Sequence, residues 1–124
     1  MMSFLPSDMV EVNSWCRARG IPEINLSSVP ARGYIEPGLG VGWLYVSDSS
    51  FAWIDGLISN PTADTKARGI ALSSIGERLL EDARELGVKH LIVYTQHGNV
   101  SKWAASHEFK DCGLHRMYLK ELNQ

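Results

Sequence analysis

The sequence predicts an α/β fold of the mixed α+β kind: an antiparallel meander, a β-α-β crossover, a further helix and a final strand. Three observations carry that prediction. Two turn-rich breaks, Pro37-Gly38-Leu39-Gly40 and Ser47-Asp48-Ser49-Ser50, separate three short apolar runs. Next, Ala71, Leu72, Ile75, Leu79, Ala83 and Leu86 form an apolar stripe at helical spacing. Soon afterwards comes His90-Leu91-Ile92-Val93-Tyr94-Thr95, almost wholly apolar. That is the pattern of a strand buried on both faces, at the centre of a sheet.

The elements follow in chain order. Ser7-Asp8 supplies an N-cap region, Met9, Val12, Trp15 and Cys16 recur at helical spacing, and Gly20-Ile21-Pro22 ends the segment. A helix over 8–19 is therefore expected. Residues 21–32, with two prolines and several serines, read as an irregular arm. The meander strands are placed at Gly33–Glu36, Val41–Val46 and Phe51–Ile58, and Asn60-Pro61 closes them. In the long helix Glu77, Arg78, Glu81, Asp82 and Arg84 lie mostly opposite the stripe, and Gly87 terminates it. A crossover helix between two strands of one sheet requires the strands near 51–58 and 90–95 to run parallel. A second helix is expected from Val100 to about Lys110, and Leu114–Leu122 alternates as the final strand.

A chain of 124 residues fits one domain, with a helix and arm over 1–32 and a core over 33–122. Its hydrophobic share of 44% and charged share of 21% exclude a disordered chain. A net charge of −2 argues against broad binding to nucleic acid or anionic membrane. No apolar run is long enough to span a bilayer, and the start resembles no signal peptide, so a cytoplasmic location is expected. Cys16 and Cys112 stand in no paired motif and read as reduced thiols. His90, His97, His107 and His115 show no metal-ligand spacing, so no metal is expected.

The element order over 33–122, the run Ala67-Arg68-Gly69-Ile70-Ala71-Leu72, and Phe109 with Tyr118-Leu119-Lys120-Glu121-Leu122 resemble the GNAT superfamily of N-acetyltransferases. Arg19-Gly20-Ile21-Pro22, Gly33-Tyr34-Ile35 and Leu57-Ile58-Ser59-Asn60-Pro61 resemble the shorter GNAT-like proteins of bacteriophages. The first resemblance implies acetyl-CoA as co-substrate, lying where the last meander strand and the strand near 90–95 diverge. Its pyrophosphate would rest on the N-terminus of the long helix. The second implies a host-cytoplasmic protein with a host or virion protein as partner.

A helix N-terminus attracts anions on physical grounds, because its first amides are unpaired and carry the positive end of the dipole. The family pattern Arg/Gln-x-x-Gly-x-Gly/Ala fits in two registers: Lys66, Gly69 and Ala71, or Arg68, Ala71 and Ser73. Either one makes Lys66, Arg68, Gly69, Ile70 and Ala71 the cofactor-binding candidates, with the amides of 67–73 opening into a cleft. The alternative is a capped first helical turn with solvated charges. Asn99, after the apolar strand, is a candidate for the pantetheine arm or for the N-cap of the next helix.

The resemblance implies a base that takes a proton from the amine and an acid that protonates the leaving thiolate. Asp55 stands near the base position; otherwise it is a solvated strand-edge carboxylate. Counting back from Glu108-Phe109, the position of the family's tyrosine acid is Ala104, flanked by Trp103 and His107. His107 is the substitute candidate, with a surface histidine near a helix end as the alternative. Tyr94 is assigned to the core, and Trp15, Trp43, Trp53 and Trp103 to the core or a groove. Three functions remain open at this point. They are acetyl transfer to a small-molecule or protein amine, binding without catalysis, and an α/β domain unrelated to CoA. A homodimer is compatible with each.

Overall fold

The structure, a computed structural model, describes residues 1–95 and 98–122, and for Gly98 and Asn99 the backbone only. Strand β1 (Met2–Ser3) is followed by a short 3-10 turn and helix α1 (Met9–Ala18). The meander comprises β2 (Gly33–Glu36), β3 (Gly40–Val46) and β4 (Phe51–Ser59). Helix α2 (Thr65–Glu85), β5 (His90–Val93) and α3 (Gly98–Ser106) complete the order. The five strands form one sheet in the order β1-β2-β3-β4-β5. All neighbours are antiparallel except β4 and β5, which are parallel as the crossover requires.

Two apolar clusters sandwich the sheet. On one face, α1 sets Met9, Val12 and Trp15 against Ile35, Val41 and Trp43. On the other, α2 sets Ile75, Leu79 and Ala83 against Leu44, Ala52 and Ile54, with Trp103 of α3 at the margin. The helix ends follow the glycine signals. At Gly20 and Gly87 the chain turns left-handed, and Ile21 and Val88 donate back to the Cys16 and Ala83 carbonyls at 3.0 Å. Helix α3 ends in the same way, with Phe109 donating to the Ala104 carbonyl at 3.0 Å, but its left-handed residue is Glu108 at φ 65°. A side chain there costs backbone energy that glycine would not.

Strand β4 carries an irregularity that matters for the site. Trp43 pairs with Asp55 and Val41 with Ile58, so Gly42 faces both Gly56 and Leu57. The extra residue resets which side chains face which layer. Glycine is required at 56 for two reasons. Its φ is +70°, and a Cβ there would fall 2.4 Å from Trp43 Cε3.

Two expectations for the second half of the chain are corrected. The final strand over Leu114–Leu122 is not formed; residues 109–122 carry neither helix nor strand. The segment beyond Phe109 makes local hydrogen bonds, such as Gly113 N–H to Asp111 Oδ1 at 2.8 Å. Among the described residues the alternating pattern meets no ladder partner. Consequently β5 stands at the sheet edge rather than at its centre, with Leu91, Ile92 and Val93 only half-buried. Tyr94, assigned to the core, is exposed just past the end of β5. Among the described residues no helix is long and apolar enough to cross a membrane.

Candidate functional site: the cleft between two parallel strands

Strands β4 and β5 pair from Phe51 opposite His90 to Ile54 opposite Val93. Beyond that point β4 continues to Ser59 while β5 has ended. The gap is the mouth of a cleft of about 520 Å³. The last residues of β4 (Leu57, Ile58 and Ser59) form one wall, and the first two turns of α2 (Thr65, Arg68, Gly69, Leu72 and Ser73) form another. Val100 and Trp103 of α3 close it from the side, and Arg19 and Ile21 reach in from the end of α1. The composition is that of a ligand site: an apolar lining with a few convergent polar groups.

Two guanidinium groups give the cleft its charge. Arg19 Nε donates to the Ser59 carbonyl at 3.0 Å and its Nη2 to Ser59 Oγ at 2.7 Å. These bonds fix the α1 terminus to the end of β4 and hold a cation at the cleft. Arg68 Nη2 donates to Thr65 Oγ1 at 3.1 Å, while its Nε is buried and has no partner among the described residues. An unpaired buried donor costs free energy that an acceptor in the cleft would recover. Trp103 presents a second unpaired buried N–H at the same site.

The sequence-based site residues divide between the cleft and its surroundings. Arg68 and Gly69 line it, as does Ser73 of the second register. Lys66 and Ile70 are exposed away from it, and Ala71 is buried on the core side of α2. The expectation of open amides over 67–73 is corrected. Helix α2 begins at Thr65, Asp64 Oδ2 accepts from Ala67 N–H at 2.9 Å, and Arg68 N–H already bonds the Asp64 carbonyl at 2.9 Å. The helix start is shifted by the Asp64 cap, so the amides that remain outside the ladder belong to its first residues. Asn99 lies in the first turn of α3, and its side chain is outside what the structure describes, as are Gln96 and His97.

Asp55 sits at the β4 irregularity, opposite Trp43 and therefore on the α1 face of the sheet. It is exposed, and its Oδ1 accepts from the Gly56 N–H at 2.8 Å. Two residues further on, Leu57 lines the cleft. Beside Asp55, Tyr45 and Trp53 stack with ring centroids 5.4 Å apart. Burial, and secondarily the Asp55 charge, push the Tyr45 hydroxyl above its ordinary range.

The structure places His107 in a different role from that of an acid. Its ring stacks on Trp103 at 4.5 Å, Nδ1 lies 2.9 Å from the Trp103 carbonyl and Nε2 lies 3.3 Å from Glu77 Oε1. It thus ties the end of α3 to α2, outside the cleft lining. Among the described residues no group of three or more His, Cys, Asp or Glu side chains could hold a metal.

The sequence reading missed Arg19, Ser59 and Asp64, while Trp103, assigned to the core or a groove, lines the cleft. Asp64 was open to detection, being an N-cap residue directly before the helical run. The Arg19–Ser59 contact spans 40 positions and has no local signal.

This cleft belongs to a known fold. No protein-family model and no curated protein matches the sequence. Solved structures do match. Rv2747 from Mycobacterium tuberculosis, solved in complex with CoA and NLQ, aligns with a TM-score of 0.70 at 20% identity, over 90% of this chain and 71% of that one. A probable acetyltransferase aligns with a TM-score of 0.64 at 15% identity, over 98% and 96%. A putative acetyltransferase from Agrobacterium tumefaciens str. C58 gives 0.65 at 10% identity, over 95% and 97%. The chain has the mixed α+β fold of these structures, with its meander and crossover in place.

Proposed function

We propose that the protein is a GNAT-type acyltransferase that moves an acetyl group from acetyl-CoA to an amine. The observation that carries this reading is the cleft at the β4–β5 divergence, with the unpartnered Arg68 Nε inside it. The residues fit the co-substrate. Arg68 and Arg19 suit phosphate oxygens, and Leu57, Ile58, Leu72 and Trp103 suit the slender pantetheine arm. That a fold neighbour was solved with CoA supports the same reading. The Asp64 carboxylate at the head of α2 is the one feature that opposes an anion there.

Bound acetyl-CoA supplies an activated thioester for direct attack by the amine. Asp55 is held by Gly56 N–H at the β4 irregularity, open to water and on the face away from α2. An amine entering from that face meets a carboxylate that takes its proton, directly or through water. The Tyr45–Trp53 stack beside it offers an aromatic surface to the rest of the substrate. No tyrosine fills the acid position, so the leaving thiolate takes its proton from water. A cytoplasmic setting accords with the free thiols of Cys16 and Cys112.

Turnover of acetyl-CoA with a panel of primary amines tests this. Asp55→Asn lowers turnover by about 10²–10⁴-fold, the usual contribution of a general base, with acetyl-CoA affinity nearly unchanged. A variant as active as the parent contradicts the role of Asp55. A second reading, binding without catalysis, draws on Ala104 at the acid position and on the Asp64 cap. Tight acetyl-CoA binding with no transfer to any amine would favour it.

A further inference from the structure

The α1 face of the sheet is covered over only part of its width. Helix α1 packs on β2 and β3, where Ile35, Val41 and Trp43 are fully buried. Along β4 the same face carries Phe51, Trp53 and Asp55, because alternate residues of a strand share a side. Their partners on β5, His90 opposite Phe51 and Ile92 opposite Trp53, lie on that face too. None of them is fully buried: Phe51, Asp55 and His90 are exposed, and Trp53 and Ile92 are half-buried. Aromatic and apolar surface grouped in this way marks a place where something binds.

The surface has the form of a slot. Tyr45 of β3 stacks on one side of Trp53, with ring planes 7° apart, and its hydroxyl is tied to the Ser28 carbonyl at 3.2 Å. The other ring face of Trp53 therefore looks toward β5, over Ile92. Phe51 and His90, stacked at 4.7 Å, bound one end. Asp55 bounds the other, one residue past Ile54, the last position at which β4 and β5 pair. It is the sole carboxylate on this face of the strands, and no cation pairs with it among the described residues.

These features select one chemistry. A lone carboxylate calls for a single cation, and the free ring face of Trp53 over an aliphatic floor calls for a flat apolar group. About 6.5 Å along the strand separates Trp53 from Asp55, of which a charge-assisted hydrogen bond takes about 2.8 Å, so a linker of about two carbons bridges the rest.

We propose that the acyl acceptor is an arylalkyl primary amine, its ring stacked on Trp53 over Ile92 and its nitrogen at Asp55. The inference rests on the acyltransferase reading and names the substrate class of that same site. The ammonium yields one proton to the Asp55 carboxylate, and its nitrogen lone pair forms the C–N bond to the thioester carbonyl carbon. The C–S bond breaks with its electron pair on sulfur. The nitrogen then loses a second proton to water and the thiolate takes one from water, so the products are the amide, CoA and one proton.

Rates of acetyl transfer to phenethylamine, hexylamine and hexamethylenediamine test it, on the parent and on Trp53→Leu, which stays apolar but loses the ring. On the parent, kcat/KM for phenethylamine should exceed that for hexylamine by about three- to tenfold, the worth of an aromatic pair beyond its buried area. The diamine should be poorer still, because its second ammonium meets no carboxylate in the slot. In Trp53→Leu the preference should vanish through a higher KM for phenethylamine, with kcat kept. A parent that shows no aryl preference, or a folded Trp53→Leu that retains it, overturns the substrate assignment and leaves the acyltransferase reading standing. No transfer to any amine removes that reading, and the assignment with it.

Discussion

The two halves of α2 are built for different purposes. From Ile75 to Ala83 the helix is committed to the core: Ile75, Gly76, Leu79, Asp82 and Ala83 are buried. Even its buried polar group is paired, since Asp82 accepts from the Tyr34 hydroxyl of β2 and, at 3.2 Å, from Arg78 Nε. Arg78 also lies 5.0 Å over the Tyr34 ring, and its bond to Asp82 pushes its pKa above the usual value. From Thr65 to Ser73 the same helix turns Arg68, Gly69 and Leu72 toward open space, with a buried guanidinium nitrogen left unpaired. One half has its bonding completed by the chain, and the other leaves a donor that an acceptor in the cleft can complete. Satisfied burial maintains a fold, while unsatisfied burial beside a cavity marks where something binds.

Substitutions along the helix should sort by that division. The largest effect is expected at Asp82→Ala, which strands the Tyr34 hydroxyl. Urea unfolding should show a loss of about 2 kcal/mol, with acetyl-CoA affinity preserved. The same cluster predicts a pH dependence. Burial first, and then the bond to Asp82, raise the Tyr34 pKa above its ordinary phenol value. The folded state therefore holds the Tyr34 proton more tightly than the unfolded chain. That stability contribution is complete below about pH 10 and is lost as pH rises through the folded pKa. Tyr34→Phe should remove this component of alkaline destabilisation.

Gly76 stands at the junction of the halves. A Cβ there would meet Trp103 Cζ2 at 2.7 Å, so Gly76→Ala must displace the wall of the cleft. A loss of about 1 kcal/mol is expected, with overpacking partly offset by the helix propensity of alanine, and ligand affinity should fall with it. Gly69 is the contrasting case. A Cβ there meets nothing within 4 Å, so Gly69→Ala should stabilise the helix by about 0.5–1 kcal/mol. Equal responses at the two glycines in thermal melts would break the comparison.

The fold was legible wherever the pattern was local. The period of Met9, Val12, Trp15 and Cys16 and the stripe from Ala71 to Leu86 gave α1 and α2, which pack on opposite faces of the sheet. The turn residues at 37–40 and 47–50 placed the meander, and the crossover argument gave the parallel β4–β5 pair. The start of α2 differs from the expected one because the Asp64 cap, and not the Arg/Gly pattern of 66–73, sets it. Alternation over Leu114–Leu122 suggested a strand that is not formed, because periodicity carries no information about whether a sheet edge receives the segment. Of the cleft lining, Arg68 and Gly69 could be read from the sequence. Arg19 and Ser59 could not, since their contact exists only once α1 and β4 are packed.

The central claim is that the cleft over the first turns of α2 takes acyl-CoA. Titration calorimetry with acetyl-CoA, on the parent and on Gly69→Phe, tests it most directly. The new side chain has open room at the helix surface and projects into the cleft, so the fold should persist while the site is filled. The account predicts one acetyl-CoA per chain for the parent and loss of binding for a Gly69→Phe variant that melts like the parent. Undiminished binding by that variant, or no binding by the parent, would contradict it.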